Sequence, residues 1–388
     1  MKKEKLTIVV GGYIVAFPLG GMTWHHLNYL LGLHELGHEV WFLEDSGAYS
    51  YPYNPTTWEV SPDPTYGIDY LKRTFAAYGL PERWCYYSQF WDTYYGLQKQ
   101  ELNDLLKRAD LLLCVSGVTP IRDDRPRPKR VAVIDTDPVF TQLRMADDQP
   151  LVDYYKQFDT VATFGTEIGK PHCPLPTHGF DWIPTNQPMA MRHWPVVPTD
   201  SRQFTTIGKW EHSADRHVSF EGKKYLSSKG VEWFKLLNLP AKQPWDLTLG
   251  MQAIPGDVKQ QFESTGWRFT DAEAATISTQ AFTQFIQNSA GELTVAKEIY
   301  SGLPSGWFSD RSSAYLASGR PVVTQASGFD RWLPTGEGLF AFSSQDEAAA
   351  ALNSINRDYT GHSRAARDIA EKHLDANKVL PRLIERVL

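Results

Sequence analysis

Six polar residues fall close together near the end of the third quarter of the chain: Ser305, Ser309, Asp310, Arg311, Ser312 and Ser313. The run that follows, SSAYLASG, is compact and helical, and PVVT after it is β-branched and starts at a proline. A loop, a helix and a strand are expected in immediate succession. The start of such a helix offers free backbone N–H groups and a partial positive charge, which suits a phosphate. Arg311 adds a planar donor fork for phosphate oxygens. Helix capping by Ser309 and Asp310 is the plainer reading. It does not account for an arginine in the first turn, where the dipole disfavours a cation. The expectation is an anion site for a diphosphate. Backbone N–H groups and the hydroxyls of Ser309, Ser312 and Ser313 donate, Arg311 is the charged contact exposed in a cleft, and Asp310 caps the helix or holds a sugar or ribose hydroxyl.

A second group could move protons. His25 and His26 are adjacent in a helical run, and neighbours on a helix diverge by about 100°, so one of them at most faces a given cleft. A helix-borne histidine also serves as a satisfied core residue. Asp135 and Asp137, in IDTDP, stand at the C-terminal end of a strand, where open α/β sheets bind ligands. Asp137 is the carboxylate that could orient a histidine, whereas Asp135 reads as a structural cap of the turn. The same letters imitate a metal-binding pair, but they lie away from the serine-rich loop, and no metal is assigned.

The elements that must position these groups follow from the pattern. LTIVV is a buried-type strand, GGYIVAFPLGG a loop, and Met22 to Leu36 a helix with an apolar face of leucines ended by Gly37. HEVWFLED is the second strand, and strand–loop–helix–strand opens a doubly wound sheet. The glycines do not follow G-x-G-x-x-G, so a dinucleotide reading is weak. Ser46 to Trp91 is irregular and rich in Tyr, Trp and Pro, with a helix at Ile68 to Tyr78. It reads either as a wall for an acceptor or as an aromatic cluster packed over the sheet. A helix (Leu97 to Lys107) and the strands ADLLLCVSG, RVAVIDTDP and DTVATFG complete the first half, which runs into a proline-rich linker. The second half opens at FTTIG with Lys209 and Trp210. A helical stretch YLSSKGVEWFKLLNLP, a strand WDLTLGM and one helix over DAEAATISTQAFTQFIQNS precede the serine-rich loop. Helices over Ser344 to Asp358 and His362 to Leu388 end the chain.

Composition bounds the class. The 388 residues allow two domains with sizeable cores, and 42% hydrophobic with 22% charged residues is ordinary for a soluble enzyme. A net charge of −6 gives no basic footprint for nucleic acid. Cys85, Cys114 and Cys173 form no disulfide or metal spacing, which points to a reducing, cytoplasmic setting. The lysines before the first apolar run imitate a leader, but Gly11 and Gly12 interrupt it and no cleavage site follows. No stretch is long enough to span a membrane. The 13 tryptophans suit a carbohydrate ligand or a core equally.

LASGRPVV resembles the segment that ends the donor site of GT-B glycosyltransferases. Gly20 and Gly21, followed one helix later by Gly37, His38 and Val40, resemble the opening of the same family. The resemblance covers both halves. It implies two Rossmann-like domains with a cleft between them: an acceptor domain over 1–195, a donor domain over 196–365, and a C-terminal helix over 366–388 that packs back on the first. It implies transfer of a sugar from a nucleotide-diphosphate sugar, UDP-linked, to a small-molecule or glycan acceptor, with no nucleic-acid partner, no stable membrane insertion and no cofactor beyond the co-substrate. Gly20 and Gly21 would lie against the donor diphosphate, and Lys209 would grip it, unless it is a solvated lysine. Trp267, Arg268 and Phe269 would meet the base, unless Trp267 is core. The retaining branch carries two glutamates that would fall at Gly306 and Ala314, where both are missing. Asp310 could take over a donor hydroxyl, with Glu292 and Lys297 as weaker candidates. In the inverting branch the general-base histidine would fall at Met22, and His25 and His26 stand about one turn on. A nucleotide-sugar epimerase, or a catalytically silent sugar or nucleotide-binding protein on the same scaffold, is the alternative.

Overall fold

The computed structural model describes residues 5–210 and 217–388; Lys2 and Lys3 of the leader-like start lie outside them. Two large sheets form, beside two small two-stranded ones. The first has eight strands, ordered Trp182–Pro184, Thr160–Thr163, Arg130–Asp135, Leu111–Val115, Thr7–Gly11, Glu39–Asp45, Trp84–Ser88 and Thr93–Gly96. All neighbours are parallel except the last pair, a hairpin. The second has six parallel strands, ordered Arg268–Phe269, Asp246–Gln252, Gln203–Lys209, Gly291–Thr294, Val322–Gln325 and Leu339–Phe342. Runs such as LLLCV and VVTQ are buried throughout because helices cover both faces.

In each sheet the strand order reverses beside the domain's first strand, Thr7–Gly11 in one and Gln203–Lys209 in the other. Ligands of open α/β sheets bind beyond the carboxyl ends of strands at that reversal. Here the two reversals face each other across one cleft.

The domains meet through helices. Gly20–Glu35 packs on Thr279–Gln287 of the second domain, and the Trp24 indole N–H donates to the Thr279 carbonyl (3.1 Å) and Thr283 hydroxyl (3.0 Å). The final helix Ala376–Val387 lies on Gly20–Glu35, where Gly32 leaves room for Ala376 and Leu380. The crossing is fixed by Met189, whose N–H donates to the Leu374 carbonyl and whose carbonyl accepts from the Ala376 N–H.

Several elements differ from expectation. The stretch expected as one helix from Tyr225 contains a strand, Lys223–Leu226, a short helix, Gly230–Phe234, and a 3-10 turn, Leu239–Lys242. DAEAATISTQAFTQFIQNS is two helices, Ala272–Thr276 and Thr279–Gln287, because the Ser278 hydroxyl caps the second. The last helix breaks at Asp375, which caps Ala376–Val387. Trp84–Ser88 is a buried strand within the region read as irregular.

Candidate active site

The serine-rich stretch forms a loop and the helix Asp310–Ala317, but its side chains are spent differently from expectation. The Arg311 guanidinium is turned inward, 13% exposed. It donates to the Glu292 carboxylate (2.5 Å), the Ile207 carbonyl (2.7 Å) and the Thr294 hydroxyl (2.9 Å). Glu292 itself is fully buried, and burying an unpaired carboxylate is costly, so the pair is first of all a structural tie between two strands and a helix. The expectation that Arg311 stands exposed as the charged contact is therefore corrected, although it still borders the cleft. Ser312 and Ser313 are likewise internal, the latter donating to the Ser309 carbonyl (3.0 Å). Ser309 and Asp310 do reach the cleft. One Asp310 oxygen accepts from the Arg311 N–H at 2.8 Å, so the aspartate caps its own helix.

Beside Arg311, the cationic side chains that line the cleft are lysines. A cavity of about 420 Å³ between the domains is bordered by Lys209, Lys229 and Lys297 together with Gly21, Gln252, Ser309 and Arg311. Lys209 and Gln252 end the two strands at the reversal of the second sheet, and Lys297 follows Gly291–Thr294. Burial pushes the Lys229 ammonium well below the usual lysine range, with Arg311 and Lys297 repelling it and Glu292 and Asp310 opposing that shift. Lys297 lies over the Phe140 ring (4.6 Å) and 4.0 Å from Asp137 of the first domain.

A second cavity of about 450 Å³ opens on the first domain at the ends of Thr7–Gly11, Leu111–Val115 and Arg130–Asp135. Tyr13, Tyr49, Phe140, Tyr155 and Phe164 form its apolar walls, and His25, Ser116, Thr136 and Asp137 its polar floor. The two cavities share Met22, Asp137, Trp307 and Asp310. Trp307 stacks flat on Tyr300 (4.3 Å, 8°) at their junction.

His25 is the histidine that faces this junction. Nε2 is 3.1 Å from the Ser116 hydroxyl, and Nδ1 is 3.6 Å from Asp310 across the domain seam. Burial lowers its pKa, with Asp310 acting in the opposite direction, so the neutral imidazole is favoured. His26 points the other way: its Nε2 accepts the Tyr13 N–H (3.3 Å) and its ring fills the space left by Gly12. Burial holds it neutral, and it is a core residue rather than a base. Asp137 does not orient either ring. It accepts from the Tyr300 hydroxyl and approaches Lys297, so the carboxylate beside His25 is Asp310. Asp135 is buried, its pKa pushed up to about 6 by burial, and it accepts from Thr141, Gln142 and Thr163 as a turn cap.

Sequence reasoning passed over Glu44. This buried carboxylate accepts N–H groups of Ile14, Val15 and Ala16, each at 2.7 Å, and so fixes the loop between the first strand and its helix. Burial raises its pKa to about 7 against those three donors. Gly20 and Gly21 begin the helix, and their missing side chains admit the Ser278 carbonyl and the Phe282 ring of the second domain. Close domain approach is thus their evident use, with Gly21 also bordering the cationic cavity. Lys229, Tyr300 and Trp307 were also missed. Lys229 stands twenty residues beyond Lys209, past an antiparallel hairpin, and no linear spacing links the two. Trp267 is withdrawn from base binding: it is 3% exposed, donates to the Leu237 carbonyl and packs edge-on to Trp233 in the core. Arg268 pairs with Asp246 outside, and the Phe269 ring lies under Lys259. Among the described residues, no three His, Cys, Asp or Glu side chains come together as a metal site, and no helix is long and apolar enough to cross a membrane.

No protein-family model and no curated protein matches the chain by sequence. Solved structures do match over nearly the whole length. AviGT4, a glycosyltransferase involved in avilamycin A biosynthesis, aligns with TM-score 0.56 at 14% identity, covering 98% of this chain and 97% of that one. An alpha-glucosyltransferase in complex with UDP and a 13-mer DNA containing an HMU base aligns with TM-score 0.58 at 10% identity, covering 99% of each chain. Sucrose-phosphate synthase from Thermosynechococcus elongatus aligns with TM-score 0.55 at 12% identity, covering 98% of each. With two Rossmann-like sheets, a cleft at both strand-order reversals and a final helix returning to the first domain, the chain has the GT-B fold of these glycosyltransferases.

Proposed function

We propose that this protein is a glycosyltransferase that moves a sugar from a nucleoside-diphosphate sugar, UDP-linked, to a hydroxyl-bearing small molecule or glycan. One observation carries the reading above the others: a cationic cavity on the donor side and an aromatic cavity on the acceptor side meet at His25, Asp310 and Trp307. A departing diphosphate needs its charge neutralised, and Lys209, Lys229 and Lys297 with the Ser309–Asp310 helix start supply this without a metal in the proposal. UDP is preferred because an alpha-glucosyltransferase of the same fold binds it.

In this reading His25 Nε2 takes the proton of the acceptor hydroxyl as that oxygen bonds to the anomeric carbon. The bond from that carbon to the diphosphate oxygen breaks, and UDP leaves with the electron pair. Attack opposite the leaving group inverts the anomeric centre, which agrees with Gly306 and Ala314 standing where the retaining branch has carboxylates. Asp310 caps its helix and faces the imidazole. An epimerase, which acts on the nucleotide sugar alone, would have no use for a second, aromatic cavity open to an acceptor. The Tyr13 and Tyr49 rings, 5.5 Å apart, give that cavity faces on which a sugar ring can stack. The acidic net charge of −6 favours a glycan or small molecule over a nucleic acid as acceptor.

A thermal-shift screen over UDP, TDP, GDP and their sugars selects the donor, followed by NMR of the product's anomeric proton. Stabilisation by a UDP-sugar and an inverted product are the expected results. Stabilisation by no nucleotide, or a retained anomer, overturns the proposal.

A further inference from the structure

The Nδ1 atom of His25 and the Oε1 atom of Gln187 are both buried and lack a hydrogen bond of full geometry among the described residues, and the Gln187 side chain acts on the His25 ring as a hydrogen-bond partner that favours its charged form. Both residues border one small cavity of about 10 Å³, together with Asn28, Asp310 and Arg311. That is close to the least room a single water needs, and a buried water needs two to four polar neighbours. Gln187 is 1% exposed, and its amide is not free to turn over. Its Nε2 donates to the His25 carbonyl and to the Pro188 carbonyl, both at 3.1 Å. Reversing the amide would set an oxygen against two carbonyl oxygens. The unpartnered atom of Gln187 is therefore an acceptor, and it looks into the same space as His25 Nδ1.

From this juxtaposition we infer that Gln187 is a positioning residue for His25: its amide oxygen, directly or through one water in the small cavity, holds the imidazole proton on Nδ1. Asp310 adds a second acceptor 3.6 Å from Nδ1, contributed by the other domain. With the proton fixed there, Nε2 is left as the acceptor, facing Ser116 and the acceptor cavity. Ser116 is itself held by the Thr136 hydroxyl at 2.9 Å. The charged and titratable groups around the ring are Asp310 and Arg311 from the helix across the seam, Tyr13 from the loop, and His26 and Tyr29 from its own helix. Gln187 sits on the segment just after the last strand of the first sheet, so the linker between the domains takes part in setting the proton position.

The inference rests on His25 being the base, and the test keeps the two apart. Long-range proton–nitrogen NMR of the histidine-labelled full chain, with His25 assigned by its loss in His25→Ala, reads the tautomer without any activity. The Nδ1–H form is expected in the unaltered protein. Gln187→Met, which keeps the volume and removes the oxygen, should shift His25 toward the Nε2–H form. It should lower kcat about tenfold while leaving the KM for the UDP-sugar unchanged. An Nε2–H tautomer in the unaltered protein overturns the assignment, with or without a folded variant. So does an unchanged tautomer in folded Gln187→Met, which would leave the proton to Asp310 alone. Full turnover in His25→Ala removes the base reading instead and leaves the tautomer result standing.

Discussion

Arg311 is paired with a carboxylate that has no exposure of its own, so removing the guanidinium leaves an uncompensated buried charge. Breaking such a pair from one side costs about 3–5 kcal/mol. Chemical denaturation of Arg311→Ala should show a loss of that order; a stability within about 0.5 kcal/mol of the parent, the usual range for surface substitutions, would place the arginine in solution. Lys229 carries a different signature. Its ammonium is held well below the ordinary lysine value by burial and by Arg311 and Lys297. A bound diphosphate reverses the balance of charge and raises that pKa, so binding draws a proton from solvent, and affinity falls as pH rises from the free protein's Lys229 pKa to the higher one of the complex. Titration calorimetry of UDP in buffers of different ionisation enthalpy should show net proton uptake that disappears in Lys229→Met. Zero uptake in the parent protein would contradict this role for Lys229.

The helix Gly20–Glu35 carries both the proposed base, His25, and the domain contact. It starts at two glycines because the Ser278 carbonyl and Phe282 occupy the space a side chain would take. Its preceding loop is fixed by Glu44, whose three accepted N–H bonds are charge-assisted when the carboxylate is ionised. Gly20→Ala should hold the domains apart while leaving each folded. Small-angle scattering should show a larger radius of gyration, and transfer should fall at least tenfold with far-UV circular dichroism unchanged. A compact, fully active Gly20→Ala would mean that the contact at Ser278 yields without cost.

The division into two sheets was legible because buried strands such as LTIVV and LLLCV carry their own signal, as does the capping Gly37 with φ of +88°. The serine-rich loop and helix were legible for the same reason. The partners of their side chains were not. Arg311 finds Glu292, nineteen residues earlier, only because the helix Asp310–Ala317 packs on the strand Gly291–Thr294. The lysine cluster draws on two separate strand ends and a turn after a hairpin, which no local pattern joins. His25 could be separated from His26 only once the loop held by Glu44 fixed which ring meets the Tyr13 N–H. Trp267 looked like a ligand contact from its place before a helix, and core packing took it instead.

At the level of the whole molecule, the account requires a nucleotide on one domain and a base on the other to act on one substrate. The direct test is the rate of UDP release from a UDP-sugar in the presence of acceptor, compared between the parent protein and His25→Ala, with the UDP dissociation constant measured for both. His25→Ala should bind UDP within about twofold of the parent and turn over about 10²–10⁴ times more slowly, the range a positioned general base contributes. In the parent, kcat should stay level as pH falls past the ordinary histidine range and drop only at lower pH, because burial lowers the His25 pKa and protonation removes the base. Equal turnover by His25→Ala, or no UDP-sugar turnover by the parent protein with any acceptor supplied, would contradict the account.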